Sequence, residues 1–230
     1  MPPYSARNRP DAQDELASSA DRWHVIVPVK DPAEGKRRLL LAGRVDLARA
    51  FALDTLAAAA MAPSVAVVHI AASPGFAIEA LAASADWPIH APLRPVSDVP
   101  PGLNPAILHA LASVIESHPG SPVAVLLGDL PALRSDELDA ALSAAAAHSL
   151  AFVRDADGHG TTLLTALDAQ ELRPAFGPGS AAAHAVAGHA EIGDQLVGLR
   201  HDVDTLAALD AARRHGLSKL TRRALGAAPN

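Results

Sequence analysis

Apolar and polar positions along the chain follow two alternating rhythms. Trp23-His24-Val25-Ile26-Val27-Pro28-Val29 is a continuous, largely β-branched apolar run, the signature of a strand buried on both faces. Val65 to Ile70 repeats the pattern and is closed by Ser73-Pro74-Gly75. Val123-Ala124-Val125-Leu126-Leu127 repeats it most clearly. Between these runs the period changes. Val45 to Ala60 places Leu47, Phe51 and Leu56 at helical spacing and stops before Pro63. Phe76 to Ala83 and Asn104 to Ser117 predict further helices, the second with Pro105 in its first turn, where proline is tolerated. Pro88-Ile89-His90 predicts a short strand and the Pro-rich stretch 91–102 a loop. Ser135 is expected to cap a helix over Asp136 to Ala147, with acids in its first turn as the helix dipole prefers. Strands are expected at Leu150–Arg154, Thr161–Leu167 and Leu196–His201, with helices from near Ser180 and over Thr205 to Arg214.

Strands alternating with helices predict an α/β domain, a mostly parallel sheet flanked by helices. In such sheets ligands sit beyond the carboxyl ends of the strands. Chemistry is therefore expected in the loops after Val29, Leu127, Arg154 and Arg200. Without internal repeats or a domain-scale linker, a single domain is expected over residues 22–217. It follows a leader, 1–21, expected to be disordered, and precedes a basic tail, 218–230.

Composition narrows the functional classes. The chain is 50% hydrophobic but only 3% aromatic, so the Val, Leu and Ile clusters must supply most of the buried area beside abundant alanine. A formal net charge of −6 argues against nucleic acid or a membrane surface as partner. Any bound anion then needs local cations. There is no cysteine, which excludes disulfides, thiolate metal sites and thiol nucleophiles and is compatible with the expected cytoplasmic location. No apolar run approaches the roughly 20 residues of a membrane span, and Met1 to Asp21 lacks the apolar core of a secretory signal.

Several loops carry candidate chemistry. Lys30, Lys36, Arg37 and Arg38 cluster around Gly35 just after the first strand, a set of cations suited to triphosphate oxygens, although the pattern is not a Walker A loop. Asp129, in Gly128-Asp129-Leu130-Pro131, follows a buried strand and suits a hard cation; the plain alternative is a turn aspartate. In Arg200-His201-Asp202-Val203-Asp204-Thr205 two acids alternate at an expected strand end, so only one can join Asp129. Asp202 is taken as that ligand and Asp204 as a helix cap. Asp155 to Thr162 is a glycine-containing loop offering the Thr161 hydroxyl. Phe176-Gly177-Pro178-Gly179-Ser180 places a glycine turn, a hydroxyl and amides at a helix start, a site for an anion. The 11 histidines show no metal-ligand spacing; His184 and His189 are read as surface or packing residues.

Taken in order, these segments resemble the 2-phospholactate/phosphoenolpyruvate guanylyltransferases of deazaflavin coenzyme (F-420) biosynthesis. The matching stretches are Val27-Pro28-Val29-Lys30 with Lys36-Arg37-Arg38-Leu39, Gly102-Leu103-Asn104, Gly128-Asp129-Leu130-Pro131-Ala132-Leu133, Asp155 with Gly158-His159-Gly160-Thr161, Phe176-Gly177-Pro178-Gly179-Ser180, and Asp202-Val203-Asp204-Thr205. The resemblance implies a single-domain nucleotidyltransferase fold, nucleotide-diphospho-sugar transferase or Rossmann-like, with GTP as donor and Mg2+ as cofactor. It implies that Thr161, Gly177 and Ser180 contact phosphoenolpyruvate or 2-phospho-L-lactate, and that Asp129 and Asp202 hold the metal. Pro28, Lys30, Lys36, Arg38, Asn104, Gly128 and Asp155 are implied as donor-nucleotide contacts, Lys30 also acting in catalysis. Thr162 departs from the asparagine found in many relatives.

The expected reaction is in-line attack of the acceptor phosphate on the α-phosphorus of GTP, with release of diphosphate. In a composition typical of high-GC genomes, the resemblance implies phosphoenolpyruvate as the favoured acceptor and hand-off of the product to a downstream deazaflavin transferase. The competing readings are a molybdopterin- or sugar-phosphate nucleotidyltransferase, whose first loop is glycine-rich, and a non-catalytic nucleotide-binding protein, which would not need two metal carboxylates.

Overall fold

A computed structural model describes residues 22–31 and 43–227. One sheet of seven strands organises them, in the order β3-β2-β1-β4-β6-β5-β7. The strands are β1 (Trp23–Pro28), β2 (Val65–Ala71), β3 (Leu93–Pro95), β4 (Val123–Leu126), β5 (Leu150–Arg154), β6 (Thr161–Ala166) and β7 (Ala190–Glu191). The helices are α1 (Arg44–Ala60), α2 (Pro74–Ser84), α3 (Leu103–Ser117), α4 (Ser135–Ala145), α5 (Ser180–Val186), α6 (Val197–Arg200), α7 (Leu206–His215) and α8 (Lys219–Ala227). Parallel pairing joins β1 to β2 and β4, β2 to β3, and β5 to β7. Only β6 runs against its neighbours, antiparallel to both β4 and β5.

Strand alternation sorts the core into two layers. Val25 and Val27 of β1, Ala124 and Leu126 of β4, and Ala151 and Val153 of β5 face one layer, covered by α1, α2 and α4. Ile26, Val123, Val125 and Phe152 face the other, covered chiefly by Ile107, Leu111 and Val114 of α3. With side chains buried on both faces, β1 and β4 read as unbroken apolar runs. His24 of β1 and His69 of β2 also lie buried, Nδ1 to Nε2 at 3.0 Å, with the His118 ring 4.3 Å from that of His24. Burial first, then the neighbouring charges of His118 and Arg94, lowers His24 to about 4. Burial likewise lowers His69 to about 3.

The structure corrects four local readings. The strand expected at Pro88–His90 is absent, because the amides of His90 and Ala91 both bond the Ala60 carbonyl at the end of α1. The pairing edge is instead β3, inside the Pro-rich stretch, where Pro95 is tolerated on an edge strand. Leu196–His201 is not a strand. Its centre is the single helical turn α6, pinned by a 2.8 Å bond from the Gly198 amide to Glu137 Oε1, where any Cβ would overlap Glu137 and the Ala132 carbonyl. Ser135 does not cap α4; Glu137 reaches back to the Arg134 amide at 3.3 Å instead.

The basic stretch after Leu217 is also structured. Asp54 on α1 accepts the amides of Leu220 and Thr221 at 3.1 and 2.7 Å, anchoring the start of α8 against α1. That cover explains why α1 is buried over most of its circumference between Leu47 and Ala60 rather than along one stripe. Among the described residues no helix is long and apolar enough to cross a membrane. The leader expected over 1–21 lies outside the described residues.

Candidate active site

The carboxyl ends of β1 and β4 open into a cleft of about 590 Å³, where a sheet of this kind is expected to bind its ligand. Its lining comes from two sides of the fold: Pro28, Lys30, Gly128, Asp129 and Asp202 at or bonded beside the ends of β1 and β4, and Asp155, Thr161, Gly177 and Ser180 from the β5–β6 hairpin and the turn into α5. Residues distant in sequence therefore meet in one space.

On the first side, Gly128 is required by the close approach of two strand ends. A Cβ there would stand 3.0 Å from the Pro28 carbonyl and 3.1 Å from Val29 Cγ2, tighter than side chains accept without displacement. The next residue, Asp129, is half-buried. Its carbonyl accepts the Val203 amide at 3.1 Å, which sets the Asp202–Asp204 segment directly beside it. Both Asp202 and Asp204 line the cleft. The expectation that alternation would send them to opposite sides fails because this segment is not a strand. Nor does Asp204 cap the next helix: Thr205 Oγ1 accepts the Ala208 amide at 3.2 Å and fills that role. Lys30 is exposed and is the one lysine or arginine among the described cleft-lining residues.

The second side of the fold contributes through the β5–β6 hairpin. The Asp155 carboxylate accepts the His159 amide at 2.9 Å and the Gly160 amide at 2.7 Å, closing the loop on itself. A Cβ at Gly160 would overlap that carboxylate. Asp155 thus lines the cleft while its oxygens bind the loop backbone. Arg200 clamps the same turn, donating from Nε to the Arg154 carbonyl at 3.1 Å and from Nη2 to the Asp155 carbonyl at 3.1 Å. The Arg154 guanidinium is itself held by Glu191 through bonds of 2.7 and 2.6 Å, and that contact lowers the Glu191 carboxyl below its usual range.

Thr161, the first residue of β6, and Ser180, the first of α5, are both buried at the back of the cleft. Gly177 and Gly179 adopt φ of 138° and 76°, conformations that favour glycine and let the loop turn tightly into the helix. The expected row of exposed amides at this helix start is reduced. The Ser180 amide bonds the Gly177 carbonyl at 3.0 Å and the Ala181 amide bonds the His159 carbonyl at 3.2 Å. Two of the amides at this helix start are thereby occupied.

Asn104 lies outside this lining. Its amide nitrogen donates to the Phe176 carbonyl at 2.8 Å and its oxygen accepts the Phe176 amide at 2.9 Å. It is a two-point clamp on the loop that carries Gly177, a role that spacing alone does not suggest. Lys36 and Arg38, with Gly35 and Arg37, lie outside the described residues. His184, read from the sequence as a surface or packing residue, is completely buried, and its Nδ1 stands 2.9 Å from Thr161 Oγ1. The available signal was its spacing of one helical turn from Ser180, which puts both on one face of α5.

No family model matches the sequence. The chain is similar, however, to proteins named phosphoenolpyruvate guanylyltransferase. That of Streptomyces coelicolor is 43% identical over 209 residues, covering 87% of this chain and 94% of the relative. That of Sanguibacter keddieii is 42% identical over 242 residues, covering 88% and 84%. That of Geodermatophilus obscurus is 41% identical over 217 residues, covering 90% and 95%. Among solved structures, the fold is shared with 4-diphosphocytidyl-2C-methyl-D-erythritol synthase from Anaerococcus prevotii, at TM-score 0.54, 11% identity and coverage of 85% and 98%. It is shared also with a nucleotidyl transferase from Methanothermobacter, at TM-score 0.52, 16% identity and coverage of 88% and 99%.

Proposed function

Since the chain belongs to the phosphoenolpyruvate guanylyltransferase family, we propose that its cleft transfers GMP from GTP to phosphoenolpyruvate and releases diphosphate. The observation that supports this most is that Asp129 and Asp202 line one cleft together with Thr161, Gly177 and Ser180. A transferase needs a place for each substrate with the reacting atoms between them.

In this reading a phosphate oxygen of phosphoenolpyruvate attacks the α-phosphorus of GTP. The bond from that phosphorus to the α–β bridging oxygen breaks, and the electron pair leaves with diphosphate. The attacking oxygen is already anionic at neutral pH, so no general base is needed. Rate enhancement comes from alignment and from charge placed where negative charge develops. Thr161 and Ser180 orient the acceptor, Gly177 lets its anionic groups approach the backbone, and Lys30 faces the leaving phosphates. Pro28 and Gly128 shape the nucleotide side. Asp155 acts by fixing the loop that leads into Thr161, and Lys36 and Arg38 are taken as further contacts of the donor nucleotide.

The oxygen donors fit a hard divalent cation. The bond from Val203 N to Asp129 O keeps the two acids on adjacent segments, and both line the cleft. Magnesium suits such a site, since it takes one or two carboxylates and completes its shell with phosphate oxygens and water. Bound by Asp129 and Asp202, it supplies positive charge to offset the charge developing on the phosphates.

We place the product, enolpyruvyl-diphospho-guanosine, in coenzyme F-420 biosynthesis, handed on in the cytoplasm to a downstream deazaflavin transferase. The test is mass spectrometry of products after incubation with GTP, magnesium and equal phosphoenolpyruvate and 2-phospho-L-lactate. The enolpyruvyl adduct should predominate. A dominant lactyl adduct overturns the acceptor assignment, and transfer to a hexose phosphate alone overturns the reaction.

A further inference from the structure

We infer that His184 is a positioning residue that sets the Thr161 hydroxyl as a hydrogen-bond donor toward the acceptor anion. The inference rests on the reading of Thr161 as an acceptor contact and adds a residue behind it.

The hydrogen-bond network determines the direction of each bond. The Ala175 amide can only donate, and it points at His184 Nε2 at 3.1 Å. Nε2 is therefore the unprotonated, accepting nitrogen. A neutral ring then carries its proton on Nδ1. Neutrality is favoured by the surroundings: burial first, and then His189, lowers His184 to about 4. Phe176 meets the ring edge-on at 5.4 Å between centroids, and Phe152 lies at 6.2 Å. Nδ1–H accordingly donates to Thr161 Oγ1 at 2.9 Å. With Oγ1 accepting from behind, the threonine keeps its own hydrogen to give to the cleft it lines.

The opposite tautomer has the opposite consequence. An unprotonated Nδ1 would draw the threonine hydrogen backward and turn oxygen lone pairs toward the substrate. Carboxylate and phosphate groups only accept, so that arrangement repels them. The Ala175 amide prevents it. The same backbone segment continues into Phe176, which Asn104 clamps. One loop thus fixes the histidine tautomer and presents Gly177.

Two amide substitutions separate the ring's functions. His184→Asn puts an amide where Nδ1 stands and retains a donor to Thr161. His184→Gln puts an amide where Nε2 stands; it retains the acceptor for Ala175 and loses the donor. Steady-state kinetics with each substrate varied, for the wild type, H184N, H184Q, T161V and the H184Q/T161V double variant, tests the idea. H184Q should raise the KM for phosphoenolpyruvate about tenfold, with the KM for GTP within about twofold. H184N should stay within about threefold of wild type for both, and H184Q should add little in the T161V background. Equal losses in H184N and H184Q, a KM for GTP that rises in parallel, or a full H184Q effect persisting without the hydroxyl would overturn the positioning role. If T161V leaves the KM for phosphoenolpyruvate unchanged, the acceptor-site reading itself falls. Melting curves on all variants separate unfolding from misplacement.

Discussion

Asn104 offers the sharpest test of how the acceptor side is built, because sequence and structure give it different jobs. Replacement by alanine removes both bonds to Phe176, at 2.8 and 2.9 Å. Each such bond contributes roughly 1 kcal/mol net. Water can recover part of this, since Asn104 is only half-buried, which leaves a loss of about 1–2 kcal/mol. The loss falls on the order of the loop from Phe176 to Gly179, not on the sheet. If the ordered loop is what binds phosphoenolpyruvate, the apparent dissociation constant rises by the inverse of the ordered fraction. At about 1.4 kcal/mol per factor of ten, that is at most roughly a five- to thirtyfold rise, reached in full where the loop's order is marginal. The assay is diphosphate release with each substrate varied against saturating partner. The KM for phosphoenolpyruvate should rise by up to that factor while the KM for GTP moves less than about twofold. A rise confined to GTP would refute the clamp and restore Asn104 as a nucleotide contact.

Three further outcomes are expected. Asp129→Asn should lower turnover by at least about a hundredfold, in line with loss of a group acting on developing charge, with an unchanged melting temperature; near-normal turnover refutes its role at the metal. Asp54→Ala should remove the anchor of α8 and cost about 1–3 kcal/mol in urea denaturation, with KM values unchanged. A mutant as stable as wild type would show that α8 does not depend on that carboxylate. The His24–His69 pair should make stability fall in acid. Both rings have folded pKa values, about 4 and about 3, below the ordinary 6.5, so the unfolded chain binds more protons through this window. Stability is intact above about pH 6.5 and declines as pH drops toward 4, by at most about 3 kcal/mol per ring. A double His24→Phe, His69→Leu variant should flatten that decline, and an identical pH profile would refute the assignment.

The parts of this molecule that were readable in advance share a physical property: their structure is decided locally. β1, β2 and β4 are buried on both faces, so their apolar runs speak for themselves. The Gly128-Asp129 turn and the 155–160 loop carry the glycines that their geometry requires. What was not readable depends on distant partners. β3 exists because β2 offers an edge, and Pro88–His90 does not pair because Ala60 captures the amides beside it. α6 turns because Glu137, 61 residues away, takes the Gly198 amide. α8 is ordered by an acid 166 residues earlier. The candidate site divides the same way. Asp129, Asp202, Thr161, Gly177 and Ser180, singled out from local sequence and from the family resemblance, line one cleft, whereas the bonds made by Asn104 and His184 appear only with Phe176 and Ala175 alongside.

The reversed direction of β6 has a final consequence. In a wholly parallel sheet, groups reach the substrate from the loops that leave strands. Here Thr161 is delivered by the opening residue of a strand running the other way, tied to its neighbour through a short turn. Thr161 therefore sits on the strand that pairs with β4, one strand away from the end that bears Asp129 and inside the same sheet. On the reading of Thr161 as an acceptor contact, changes in which small acid is chosen should be sought first in the turn from Asp155 to Gly160 that leads into it.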